Sequence, residues 1–219
     1  MPEYLRMESE KPRLTQIDQP GVSAETLEAA RSSTVGALYR RIVGDDWRNL
    51  DAAVQRLHSG GMVTRGTGSF TVTHGKRRLA RLMAKILRMP AVGENVSVSL
   101  VVTAHPNGER WHRTFAGKPF ITEQRDDGGK FLVERNKGVD VWFRLSVMDG
   151  ALIYQQTKAA LNIGHWHLPL PRRLSTYIVA SERAATEKSS VQVSVRVTAP
   201  LIGLLIEYEG NIKMEEEGA

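Results

Sequence analysis

The chain has 219 residues and no cysteine, which excludes a disulfide, a thiolate metal site and a cysteine nucleophile. Hydrophobic content of 41% and charged content of 25% are those of a globular protein with a core of its own. The net charge of +6 comes from Lys and Arg spread among acids, which argues against a nucleic-acid partner, and no apolar run is long enough to span a bilayer.

Residues 1–33 are polar and carry Pro2, Pro12 and Pro20. They read as a tail with a short helix over 24–31 and too little apolar material for a core. This start lacks an apolar signal region, so the expected location is cytoplasmic. One domain is expected over 34–213, followed by a charged tail over 214–219. A helix over 35–43 places Leu38, Tyr39 and Ile42 at helical spacing. Gly44 and Asp45 break it. Asp45 or Asp46 is expected to cap a second helix through Leu57, with Trp47, Leu50, Val54 and Leu57 on one side.

Residues 62–74 read as a strand in which Gly66 and Gly68 mark a bulge or a close backbone approach. GTGSF lacks the GK[ST] ending of a phosphate-binding loop. An amphipathic helix follows over 76–89. Leu79, Leu82, Met83 and Ile86 make an apolar stripe, read as its core face, opposite Arg78, Arg81, Lys85 and Arg88. Its basic side keeps open a contact with an anionic membrane or nucleic acid. Val96, Val98, Leu100 and Val102 alternate with polar residues, and His105-Pro106-Asn107-Gly108 turns the chain back.

From Trp111 to Gln156, short alternating runs are separated by AGKP, DDGG, NKG and MDG, which predicts a five-stranded antiparallel meander. Parity groups Trp111, Arg113 and Phe115; Phe131, Val133 and Arg135; and Val139, Val141, Phe143, Leu145 and Val147, with Trp142 and Arg144 opposite the last row. Leu152, Tyr154 and Gln156 share a face. Arg113 and Arg135 stand among aromatics. A buried guanidinium needs a carboxylate or several acceptors, and Glu123 and Glu134 are the candidates nearby. The competing reading is an arginine whose stem packs while its head reaches water.

Residues 158–173, KAALNIGHWHLPLPRR, read as the longest irregular connection, a rigid loop over the mouth of the sheet. His165 and His167 would share a face when extended, but two ligands do not make a metal site. Strands follow over 175–184, over the alternating valines 191–197, and around Leu204, Ile206 and Tyr208.

Many antiparallel strands and few helices predict a mainly β (α+β) domain: a strongly curved sheet or barrel with two or three helices covering an end or open face. The expected function is binding of a hydrophobic, partly polar small molecule in a barrel cavity, the setting for a cofactor-independent cyclisation or isomerisation in a biosynthetic pathway. Trp111, Arg113, Phe115, Phe131, Arg135, Trp142, Phe143 and Trp166 are the expected ligand contacts. Glu134, Tyr154 and His165 are the expected proton handlers. No metal and no cofactor are expected. The alternatives are a non-catalytic carrier of a lipid-like ligand, or membrane binding through the basic helix.

LYRRIVGDDW, RLH, ERWHRTFAGKPF, LVERNKG, HWHLPLP and APLIGLLIEYEG together resemble an uncharacterised bacterial domain family spanning roughly residues 35–213. Members of that family also occur fused behind a saccharopine-dehydrogenase-like Rossmann domain. The resemblance implies no assigned activity. No GxGxxG follows a strand here, so neither a nicotinamide cofactor nor dehydrogenase activity is carried over.

Overall fold

The computed structural model describes residues 38–59, 61–87, 89–187 and 189–215. The expected tail over 1–33, the helix over 24–31, the first three residues of the helix over 35–43, and Arg88 lie outside the described residues, as does the end of the C-terminal tail.

Two-residue turns drive the meander. Ala116-Gly117, Lys137-Gly138 and Asp149-Gly150 all have positive φ, the left-handed pair whose twist matches that of the flanking strands. They join β3 (Gly108–Phe115) to β4 (Lys118–Asp126), β5 (Phe131–Asn136) to β6 (Val139–Met148), and β6 to β7 (Ala151–Ile163). Between β4 and β5, the Asp126 and Asp127 carboxylates accept the backbone N–H groups of residues 128–131. β1 (Val63–His74) and β2 (Gly93–His105) precede the meander, and β8 (Trp166–Pro169), β9 (Tyr177–Ala184), β10 (Ser190–Ala199) and β11 (Gly203–Met214) follow it.

Pairing runs β6-β5-β4-β3-β2-β1-β11-β10-β9-β7, and β7 pairs back onto β6, so ten antiparallel strands close a barrel. The β1–β11 seam is tight. A Cβ on Gly68 would lie 1.9 Å from the Asn211 carbonyl oxygen, and one on Gly210 would lie 2.1 Å from that of Ser69. Gly66 and Gly68 therefore mark a close approach; the register shift in the β1–β2 pair comes later, between Phe70 and Val72.

One end of the barrel is plugged. Helix α1 (Leu38–Val43), a 3-10 turn (Gly44–Asn49) and α2 (Ala52–Ser59) sit there, burying Leu38, Tyr39, Leu50, Val54 and Leu57. Neither Asp45 nor Asp46 caps α2, because extended backbone at Leu50 separates the 3-10 turn from the helix. Asp51 stands before α2 instead, and its carboxylate accepts the Ala184 N–H at 2.8 Å, tying plug to barrel wall.

At the opposite end α3 (Arg78–Ile86) leans on β11 and β1. Its contact residues are small. Ala80 and Ala84 are buried, and a Cβ on Gly75 would already lie 2.9 Å from that of Ala80. Such close docking turns the larger side chains outward. Leu79, Leu82 and Ile86, expected on the core face, are exposed, while Met83 keeps its core contact.

The expected irregular loop over 158–173 is largely a hairpin. β7 runs on to Ile163, turns at Gly164-His165, and pairs with β8 along the edge that β9 uses only over Leu152–Gln155. No helix among the described residues is long and apolar enough to cross a membrane.

Candidate functional site

Register decides which parity faces inward. β2 buries Val98, Leu100 and Val102. Across from them in β3 stand Phe115, Arg113 and Trp111, and the series continues through Thr122 and Gln124 of β4 to Glu134 of β5. Phe143, Tyr154 and Glu182 complete the inner wall toward β9. Six of the expected site residues thus share the interior: Trp111, Arg113, Phe115, Glu134, Phe143 and Tyr154.

The other five lie outside it. Phe131, Arg135 and Trp142 occupy the outer face, where Phe131 and Trp142 pack with Val133 and Ala160 in a separate cluster. The His167 ring meets Trp142 edge-on at 5.8 Å, and Lys158 Nζ lies 4.4 Å from its ring centre. His165 and Trp166 are exposed in the β7–β8 hairpin. His167 Nδ1 pairs with Asn162 Oδ1 at 2.8 Å. Among the described residues no group of three His, Asp or Glu side chains could hold a metal.

Two polar layers stand inside the barrel. The first lies under the plug. His58 Nε2 approaches Glu182 Oε2 at 2.5 Å, and Tyr154 Oη donates to the same oxygen at 3.0 Å. A carboxylate acceptor puts the imidazole proton on Nε2, and the buried Nδ1 has no hydrogen-bond partner among the described residues. The His58 ring stacks on Tyr39 at 3.8 Å. Tyr39 Oη donates to Gln124 Oε1 at 2.6 Å, and Gln124 Nε2 donates to Glu134 Oε2 at 3.0 Å. Burial, reinforced by the charge of Glu182, holds the Tyr39 and Tyr154 phenols well above their ordinary range, so both act as neutral donors. Burial also raises the Glu109 carboxyl, which accepts from Trp111 Nε1 at 2.9 Å. The His58 and Tyr39 bonds join helix to wall and serve the plug.

The second layer is sparsely bonded. Arg113 donates to Thr122 Oγ1 at 3.2 Å, lies 3.7 Å from Glu134 Oε1 and stacks over Trp111 at 4.7 Å. Burial is the largest influence and works against its charge, but Glu134, Tyr208, Tyr39 and Glu182 together outweigh it and leave the guanidinium above its ordinary range. Its five N–H groups thus make one hydrogen bond among the described residues. Tyr208, set among Phe70 and Phe115, has no hydrogen-bond partner for its hydroxyl among the described residues, and burial pushes its phenol up to about 12. Around this pair, the inward-facing Phe120, Val141, Leu145, Ala180, Val193 and Val195 keep partial solvent accessibility although they sit along the strands.

His58, Glu182, Gln124 and Tyr208 escaped the sequence reading. Two signals were there. His58 continues the Leu50, Val54, Leu57 stripe, and Glu182 shares its parity with Ile178 and Ala180. Glu123, expected as a partner for a buried arginine, instead faces out toward Arg110 and His105, both at 3.5 Å.

No curated protein and no solved structure matches the chain. A match does exist at the family level, over residues 50–212, which takes in α2 and all eleven strands to near the end of β11. The chain therefore belongs to the family described as a domain of unknown function (DUF4166).

Proposed function

We propose that the barrel is a receptor for a largely apolar small molecule bearing a carboxylate or carbonyl oxygen, with Arg113 as its anchor. The observation that carries this reading is an inward guanidinium with one hydrogen bond among the described residues, beside apolar wall residues that solvent can still touch. A part-buried arginine with spare donors gains from an oxygen acceptor, and apolar walls favour the rest of such a ligand. Tyr208 supplies a second donor.

Glu134 favours a further step on the same ligand. It is a carboxylate beside the proposed anchor, so it would take a proton from the carbon next to a bound carbonyl and return it elsewhere, an isomerisation that needs no cofactor. On this reading a fusion of the kind the resemblance implies for other members, with a saccharopine-dehydrogenase-like Rossmann domain ahead of the barrel, would join a small-molecule receptor to a redox unit.

Titration with a fluorescent long-chain carboxylate tests the receptor. Saturable binding is expected, weakened about tenfold or more in Arg113→Met and unchanged in Arg135→Met, whose side chain is outside. Equal affinity in both variants would remove Arg113 as the anchor. A ligand recovered unchanged after incubation would remove the isomerisation and leave carriage.

A further inference from the structure

The barrel end opposite the plug carries apolar side chains that the fold does not use. On α3, Leu82 is 53% and Ile86 64% exposed, with Leu79 beside them on the same stripe. Leu201, in the turn between β10 and β11, is 94% exposed, and Arg77 donates to its carbonyl, so that turn abuts the start of α3. Around the same end, Trp166 is 73% exposed in the β7–β8 hairpin. Scattered single apolar residues are ordinary, but a stripe on one helix with a turn leucine against it is not.

Charge selects the occupant. Between Gly75 and Gly93 the sequence holds six Lys or Arg and no Asp or Glu. Arg78, Arg81 and Lys85 form no ion pair among the described residues. On the helix they flank the apolar stripe, at the 3.6-residue spacing that places both groups on the side away from Ala80 and Ala84. Nucleic acid would match the charge but not the leucines. A second copy would match the leucines but would bring a like-charged helix against this one. A bilayer with anionic headgroups matches both, taking the leucines and isoleucine below the headgroups and the bases among the phosphates.

We propose that α3 and the adjoining Leu201 turn dock this barrel end onto an anionic phospholipid surface. The inference is independent of whether the interior holds a ligand. Vesicle co-sedimentation of the full chain tests it, using phosphatidylcholine with and without phosphatidylglycerol. Binding is expected only with the anionic lipid, and it should weaken with added salt. Arg81→Gln and Lys85→Gln should each weaken it roughly fivefold, and Leu82→Gln about tenfold. Met148→Gln, an exposed position at the plugged end, should leave it unchanged. Because these side chains are exposed, each variant is expected to keep the wild-type far-ultraviolet circular dichroism.

Three results would overturn the proposal. One is a folded wild-type chain that ignores anionic vesicles. Another is vesicle binding that Leu82→Gln, Arg81→Gln and Lys85→Gln leave intact. The third is a soluble dimer abolished by Leu82→Gln without any vesicle binding, which would assign the face to a second copy.

Discussion

Arg113 and Arg135 stand among aromatics in the sequence, yet the barrel wall separates them and their surroundings differ in kind. Outside, Asp140 accepts from Arg135 Nε at 2.6 Å, from Arg135 Nη2 at 2.8 Å and from Arg125 Nη2 at 2.9 Å. Burial opposes ionisation of Asp140, but those two arginines outweigh it and hold the carboxyl at about 2. Inside, Arg113 has a hydroxyl at 3.2 Å and a carboxylate at 3.7 Å. The outer group satisfies itself and needs nothing more. The inner one is placed just as firmly by its strand and by Trp111 but keeps donors in reserve. Pairing separates an arginine that holds a wall together from the one proposed to hold a ligand.

Removing the outer acceptor should have the largest effect. Asp140→Ala leaves two part-exposed arginines without their shared carboxylate, and a loss of about 2 kcal/mol is expected in chemical denaturation. Binding of a long-chain carboxylate should survive wherever the variant is folded. The inner substitution should do the reverse. Arg113→Met should cost less, about 1 kcal/mol of stability, because a stem of similar shape still packs on Trp111 and Glu134 keeps its bond from Gln124. It should nonetheless lower ligand affinity about tenfold or more. Equal stability losses at the two sites would erase the distinction.

Tyr208→Phe sharpens it on a smaller scale. The hydroxyl has no hydrogen-bond partner among the described residues, so the melting temperature should not fall. Ligand affinity should drop about threefold to tenfold if the hydroxyl donates to the same oxygen. Acid supplies the gentlest test. A carboxyl depressed in the folded state adds stability that is fully present above its unfolded value near 3.8 and is lost as pH falls toward about 2. Asp140→Asn should therefore flatten the stability curve across that window relative to wild type, and an unchanged slope there would mean that other carboxylates dominate it.

Much of the barrel was legible because its turns are written in residue types. Ala116-Gly117, Lys137-Gly138 and Asp149-Gly150 announce hairpins, and alternating valines announce β10. The site was half legible. Parity put Trp111, Arg113 and Phe115 together, but it cannot say which face is inside, and Phe131 and Arg135 went out with Trp142. What misled there is the β7–β8 hairpin, whose His167 covers an apolar patch on the outer wall. The His58–Glu182 pair joins residues 124 apart in the chain, beyond the reach of any local pattern. On α3 the stripe itself was correct. Its direction was not, since Ala80 against Gly75, with Ala84 buried on the same face, forms a closer dock than leucines could.

The central claim is that Arg113 anchors an oxygen-bearing apolar ligand inside the barrel. Native mass spectrometry of the purified protein, followed by solvent extraction, tests it most directly. The account predicts an added mass that releases an apolar molecule with a carboxylate or carbonyl, retained in Arg135→Met and lost in Arg113→Met. The same adduct persisting in Arg113→Met would contradict it. So would a bare mass that stays bare after incubation with a long-chain carboxylate.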